Sequence, residues 1–542
     1  MRNTYYFLEL CFLLFLVSSK ASAQSFEEYK RQQQEKYNSY VQKKTEEFRA
    51  YRDRVNAEYA EFMRRAWKRE EAEPAKPLPK RPEPPKPVVR DPLEIPRFDA
   101  IPFGEVRDLQ LPDLTKPEPV IPIDQLEGLV FTAPEKVKPE PEPKQEAKPQ
   151  EVPKQEVKPK EEVKPKEKPK EVKPTPQPKE VKPEGLTFKW CGLTWRIPLE
   201  KGHRFRLNST KEADVADAWE TLSEAKYGPV VAACLKLRDA HQLPDWGYLH
   251  FLEAMANAFL PGMPNEARLL EMFILVQSGY QARIARANDQ LFLLIPSSGD
   301  IYEYSSMTIG GRTYYVADKK APISSYDVYE RDFPKEKPFV WLMKTLPVLT
   351  SENATRTLKG QRYPEVKATV DVSKGLIALM KDYPRCNDWN HYALASLSEQ
   401  AKEGLYPVLR KNIEGKSKKD AAGVLLDFVQ TAFDYKTDDE QFGVERPLFG
   451  DETLYYPFCD CEDRSILYSI LVRELLGLDV VLLHYPDHLA TAVCFNENVE
   501  GDYMVLNGRR YVVCDPTYIG ASVGEAMSCY KQTKATILRI SH

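Results

Sequence analysis

Residues 73–184 limit what the rest of the chain can do. Pro, Lys and Glu alternate there, most strictly from Lys136 to Lys182, with repeats such as Glu-Val-Lys-Pro-Lys. Proline removes backbone donors, the charges stay solvated, and little apolar surface is on offer. Such a stretch cannot bury a core, and it predicts a disordered or polyproline II spacer over 73–185. Fully extended at ~3.1 Å per residue, about 47 residues of it reach on the order of 150 Å. Between 91 and 134 the bias relaxes. Leu93, Ile95, Phe98, Ile101, Phe103 and Leu129-Val130-Phe131 mark a short segment suited to docking on a globular body.

Ahead of the spacer, residues 1–23 read as a secretory signal. Arg2 is a minimal basic n-region, 8–17 is an apolar h-region interrupted by Glu9 and Cys11, and Ala21-Ser22-Ala23 fits the cleavage rule. The apolar run is too short for a comfortable span, so the mature chain is expected to be exported, periplasmic or secreted, with no transmembrane segment. Residues 24–72 read as a polar helix or coiled coil. Val41, Phe48, Val55 and Phe62 recur every seven residues, beside Tyr37, Tyr51, Tyr59 and Ala66, with no Pro or Gly before Pro74. Such a stripe suits a protein partner; a solitary solvated helix would carry the same pattern.

The globular region starts near Leu186. Residues 187–197 read as a β-hairpin turning at Cys191-Gly192. Helical patterns follow at 212–226, 230–241, 248–259 and 265–279, then strands to Asp318. Residues 338–343, 355–359 and 365–372 read as strands, and 391–412 and 421–433 as helices. The chain also echoes itself at an offset near 198. Gly279-Tyr280 matches Gly477-Leu478, and Asp289-Gln290-Leu291 matches Asp487-His488-Leu489. With the offset one shorter, Gly311-Arg312-Thr313-Tyr314-Tyr315-Val316-Ala317-Asp318 matches Gly508-Arg509-Arg510-Tyr511-Val512-Val513-Cys514-Asp515. This predicts a repeat, 186–330 preceding 331–542, in which Met263 and Gln290 face Cys461 and His488. A generic helix–hairpin similarity is the alternative.

Three segments of the second half carry the chemistry. Asp460-Cys461-Glu462-Asp463-Arg464 opens an apolar helical run, His488-Leu489-Ala490-Thr491-Ala492-Val493 opens a strand, and Tyr511-Val512-Val513-Cys514-Asp515-Pro516-Thr517 closes one. A helix N-terminus favours a thiolate, a histidine carries the proton, and a carboxylate fixes the imidazole tautomer. Cys461 is the candidate nucleophile, His488 the base and Asp515 the orienting acid. The loop 434–458 carries Tyr435, Phe442, Pro447, Phe449, Tyr455 and Tyr456, which could wall a cleft or pack on the core.

Asp-Cys-Glu-Asp before a helix, a His at a strand start and Asp-Pro-Thr ending a later strand resemble the transglutaminase-like superfamily. The match covers roughly 421–530. The resemblance implies a papain-like α+β core with the Cys461-His488-Asp515 triad; with the signal and the internal echo, the chain reads as a bacterial exported member preceded by a degenerate copy. It implies cysteine-dependent acyl transfer on peptide or protein amides, a cell-wall peptide being one candidate substrate. Hydrolysis is favoured over cross-linking because nothing marks a dedicated amine site. The alternative is a catalytically silent binding or adaptor module. The chain departs from common members in lacking a Trp-rich cluster around the cysteine and in having His-Leu where many show His-Ala-Trp.

Composition narrows the rest. A net charge of −4 with evenly mixed signs argues against nucleic acid. Cys459-x-Cys461 has no second ligand pair, and Pro486 interrupts the His484/His488 spacing, so neither a metal nor a cofactor is assigned. Beyond Cys11, eight cysteines remain: an even number invites disulfides, but Cys494 and Cys514 should lie on opposite faces and fail to pair.

Overall fold

The structure, a computed structural model, describes residues 2–108 and 185–540, apart from short gaps at 66, 79–85, 94–95, 298–300, 320–322, 335, 341–342, 344 and 387. The alternating tract at 136–182 lies outside the described residues. So does Leu129-Val130-Phe131.

The N-terminal helix runs continuously from Arg2 to Met63, through the segment read as a signal. Among the described residues no helix is long and apolar enough to cross a membrane. Its heptad stripe is used within the chain. Val55, Asn56, Tyr59, Ala60 and Met63 are buried, and Tyr59 sits 5.1 Å from Trp219 and 5.2 Å from Phe333, ring to ring. The last turns are therefore docked on the globular body. Earlier positions differ: Tyr37 and Tyr40 are exposed.

The helix stops nine residues short of the expected end at 72. Trp67 is buried against Tyr329, 4.7 Å between rings, with the Arg286 guanidinium 4.8 Å from its face. That anchor draws Lys68–Glu71 into an antiparallel pairing with Ser325–Val328. Four charged residues suit an edge strand, which must stay soluble on its open side. The spacer expected over 73–185 begins too early: Glu73, Val89 and Ala100 bridge to the body, and Phe103–Asp108, within the expected docking segment, pairs in parallel with Ala535–Arg539.

The globular elements follow the sequence pattern with instructive exceptions. The hairpin Leu186–Trp190/Leu193–Ile197 turns at Cys191 and Gly192, both with positive φ, 47° and 73°. Two such residues give the turn whose twist matches the strands. Helices occupy Glu212–Leu222, Gly228–Ala240, Asp245–Phe259, Pro264–Gln277 and Lys418–Thr431. The described residues of 338–343 form no strand, because Pro338 lacks an N–H to continue the single bridge at Lys337. The expected helix over 391–412 is two helices, Trp389–Leu394 and Glu399–Ile413. Ser398 breaks it by capping the second, its hydroxyl accepting from the Ala401 N–H while Asp451 takes its own N–H.

Two six-stranded sheets organise the body. The first runs Ser306–Ile309, Arg312–Val316, Gln290–Pro296, Arg283–Ala287, Ser325–Val328, Lys68–Glu71. The second runs Tyr503–Leu506, Arg509–Cys514, Leu489–Cys494, Asp479–His484, Ala535–Arg539, Phe103–Asp108. The order is the same, and so is the register. Leu294 faces Val316 as Ala492 faces Val513, at offsets of 198 and 197. Ile284 faces Leu293 as Leu482 faces Thr491, and Met307 faces Tyr314 as Met504 faces Tyr511. Only the edge strand contributed by the N-terminal segment differs: it is antiparallel in the first sheet and parallel in the second.

Each sheet packs one face on a buried helix, Pro264–Gln277 or Cys461–Leu476, within one large core. The opposite faces gather separate apolar clusters, around Phe292 and Tyr326 in the first sheet and Leu483 and Ile537 in the second. Cys494 belongs to the second sheet's separate cluster and Cys514 to the large core, on opposite faces as expected. The eight cysteines beyond Cys11 are free thiols. The fold is thus α+β.

Candidate active site

The helix Cys461–Leu476 is buried on nearly every side, as its unbroken burial from Cys461 to Val472 shows. A helix this enclosed is held by core packing rather than by a single amphipathic face. Asp460 caps it, Asp460 and Asp463 forming a reciprocal box, and Gly477 ends it at φ 66°. Ser465 fixes its distance from the neighbouring strand by donating to the Leu489 carbonyl at 2.8 Å. Cys461 is therefore the first residue of a rigid helix, one strand away from His488.

His488 and Asp515 meet. His488 Nε2 lies 2.9 Å from Asp515 Oδ2, and both side chains are sealed from solvent. Asp515 Oδ1 accepts the Thr517 N–H at 2.9 Å, so the carboxylate is held at both oxygens. Gln430 braces the same turn, its amide donating to the carbonyls of Asp515, Tyr518 and Ala521. Tyr530 stacks on the imidazole at 4.9 Å and donates to Asp487 Oδ1 at 3.0 Å. Gln430 and Tyr530 were not singled out from the sequence; neither sits in a motif, and only the fold brings them to the histidine.

Cys461 lines the same cleft as His488 but is not hydrogen-bonded to it. The thiol donates to Glu462 Oε2 at 3.1 Å. The other imidazole nitrogen, Nδ1, is buried and has no hydrogen-bond partner. Burial pushes the Cys461 thiol well above its ordinary pKa, and the Glu462 and Asp460 carboxylates add to that, while the Leu489 N–H works the other way. The helix N-terminus, expected to favour the thiolate, is outweighed by this desolvation and negative charge. Cys459 is likewise pushed up, to about 11, mainly by burial.

The cleft holds about 550 Å³ of empty space, its open mouth included. The loop 434–458 does wall it, but through Thr437, Asp438, Asp439 and Glu445 rather than its aromatics. Phe449 is buried in the core, and Tyr456 packs edge-on to Phe442. An aromatic comes instead from far upstream: Trp389 lines the cleft and meets His484 edge-on at 4.4 Å. At the equivalent places of the first sheet, Met263 caps its helix and Gln290 opens its strand, exposed. Asp318 stands where the second sheet has Asp515.

Neither a protein-family model, nor a curated protein, nor a solved structure matches this chain.

Proposed function

We propose that this chain is an exported, cysteine-dependent acyl-transfer enzyme acting on peptide or protein amides, built on a transglutaminase-like, papain-like core. The observation that carries the reading is the imidazole. His488 is oriented at Nε2 by Asp515, its buried Nδ1 has no hydrogen-bond partner, and His488 and Cys461 line the same cleft. An imidazole fixed on one side and unpartnered on the other is poised to take a thiol proton.

In the proposed reaction Cys461 gives its proton to His488, and the sulfur attacks the amide carbonyl, forming a C–S bond. His488 returns the proton to the leaving amine as the C–N bond breaks. Water then cleaves the thioester, releasing acid and free thiol. Hydrolysis is favoured over cross-linking because nothing in the sequence marks a dedicated amine site. Residues 186–330 are then a degenerate copy, with the repeated sheet but with Met263 and Gln290 in place of thiol and imidazole.

A second reading has one observation in its favour. The thiol is buried and bonded to Glu462 rather than to His488, as suits a silent binding module. Capture by a peptide-like thiol electrophile separates the two. The enzyme reading expects one adduct on the full chain at Cys461, lost in Cys461→Ala and greatly slowed in His488→Ala. Equal labelling of Cys461 and Cys459, indifferent to His488, would leave only the binding module.

A further inference from the structure

A second cavity opens at the far end of the strand Asp479–His484. His484 lines the cleft, and Asp479 lines this cavity. It holds about 1060 Å³ of empty space, its open mouth included. Leu478, Val481, Leu506 and Ile540, all buried, give it apolar walls, and Arg473, Arg509 and Arg539 line it as well. Two of the three arginines are answered. Arg509 meets Asp479 at 2.7 Å, and Arg539 meets Asp108 at 3.3 Å. Asp479 also accepts the Tyr511 hydroxyl at 2.7 Å. Arg473 differs. It is half-buried, and its hydrogen bonds go to the carbonyls of Ser469, at 3.2 Å, and Ala393; among the described residues it makes no ion pair. Burial pushes its guanidinium below the ordinary value, and the more distant carboxylates of Glu474 and Asp479 restore it only in part. A desolvated guanidinium with only neutral partners keeps an unbalanced charge.

The fold does not require that charge. At the offset of 198 that relates the two sheets, Leu275, buried in the core, stands in place of Arg473, and Gln281 in place of Asp479. Arg312 matches Arg509 and donates to Gln281 at 2.5 Å, so the first sheet repeats the contact with neither the carboxylate nor the half-buried guanidinium. The geometry points to a binding site for a small organic carboxylate in this cavity, its head on Arg473 and its body against Leu478, Val481, Leu506 and Ile540. Apolar walls with a few placed polar groups are the usual form of a small-molecule site. A planar guanidinium can take both oxygens of a carboxylate at once. One unanswered charge suits a monoanion. A phosphate dianion would bring a second negative charge toward Asp479 and Asp108, with no further cation in the lining to answer it.

The site does not depend on the chemistry proposed for Cys461. Arg473 lies in the last turn of the helix that Cys461 opens, and Asp479 begins the strand that ends at His484. The two cavities therefore share elements but no lining residue.

The test uses the full chain titrated with sodium hexanoate by calorimetry and thermal unfolding, with hexanol, acetate and inorganic phosphate as separate arms at one ionic strength. One hexanoate per chain and a midpoint that rises with its concentration are expected. Hexanol lacks the charge and acetate the apolar body, so both should bind more weakly. Arg473→Leu installs the residue that the first sheet's helix carries at this place, and should weaken hexanoate roughly tenfold or more, the scale of a hydrogen bond to a charged group. Arg509→Gln alters an exposed side chain and leaves Asp479 unneutralised, so it should weaken hexanoate several-fold. Circular dichroism checks both folds; if Arg473→Leu misfolds, Arg509→Gln alone decides. No heat and no shift with hexanoate overturns the site, as does equal binding of hexanol or parent-like affinity in the folded variants. Phosphate that outcompetes hexanoate overturns the choice of a carboxylate. Cys461→Ala should bind hexanoate as the parent does; loss of binding there would put the ligand in the cleft and overturn this site.

Discussion

His488 Nε2 donates to Asp515 Oδ2 across 2.9 Å, in a pocket where neither group meets water. With the second carboxylate oxygen taken by the Thr517 N–H, Asp515 has no freedom to turn away. Asp515→Asn keeps the shape but allows the amide to present an N–H to Nε2, which reverses the tautomer. Reactivity of Cys461 should fall by up to roughly 10⁴-fold, the scale known for such a tautomer error. The loss should be smaller than that of Cys461→Ala. Electrophile capture rates across the pair measure it, and a parent-like rate in Asp515→Asn would remove the acid from the machinery.

The docked end of the N-terminal helix offers a stability test. Tyr59 is buried among Trp219, Phe333 and Phe62, yet its hydroxyl has no hydrogen-bond partner. Burial and the nearby Glu336 carboxyl push that phenol far up, so it stays neutral. Tyr59→Phe removes an unsatisfied group and should be neutral or stabilising. Tyr59→Ala leaves a ring-sized cavity and should cost about 3–5 kcal/mol in denaturant unfolding. Similar losses in both variants would mean that the hydroxyl has a partner after all.

His391 governs part of the acid limb of stability. It is buried against Tyr383, Nε2 to hydroxyl 2.7 Å, and burial lowers its pKa from 6.5 to about 4. The folded state therefore binds this proton less readily than the unfolded chain. The stability this contributes is fully present above pH 6.5 and is lost as pH falls from there through 4. The shift corresponds to about 3 kcal/mol. His391→Leu should be less stable at pH 7, where Tyr383 loses its partner, but should lose less on going to pH 4. Parallel pH profiles of parent and variant would refute the assignment.

Much of this architecture is legible in the chain because repeated local rules leave repeated residues. The Gly-Arg-x-Tyr-x-Val-x-Asp echo survives since each glycine opens a turn at positive φ, Gly311 at 79° and Gly508 at 73°. The alternating apolar residues behind it hold register. The places of Cys461, His488 and Asp515 were readable for the same reason: each lies at the end of an element, where sequence signals are strongest; of the three, only His488 and Asp515 are hydrogen-bonded to each other. What was not readable depends on distance along the chain. Lys68–Glu71 carries no strand signal and becomes one because Trp67 is anchored and a free sheet edge waits. Trp389 reaches the cleft from 72 positions upstream of Cys461. The thiol's partner, Glu462, was in view as part of the motif, but its orientation depends on the fold of 434–458.

The final prediction concerns how the N-terminal segment is held. Were 73–185 a free spacer throughout, cutting it would release a fragment beginning near Gly185. The pairings argue otherwise. Lys68–Glu71 completes the first sheet and Phe103–Asp108 the second. Between them Arg90 meets Glu525 at 2.8 Å, and the Asp99 N–H donates to the buried Asp502 at 2.7 Å. Asp502 also takes Lys531 at 3.1 Å and the Ala526 N–H at 2.8 Å, so removing the segment takes a donor from an enclosed carboxylate. Upstream, Arg64 bridges to Asp217 and Glu220, at 2.5 and 2.8 Å, and Tyr59 fills the core. A protease site inserted within 109–184 and cut to completion should therefore give two pieces that co-elute on size exclusion and separate in denaturant. Co-elution should survive high salt, because the ion pairs are screened while the strand pairings and Tyr59 are not. Elution of 185–542 alone under native conditions would mean that the segment only rests on the surface.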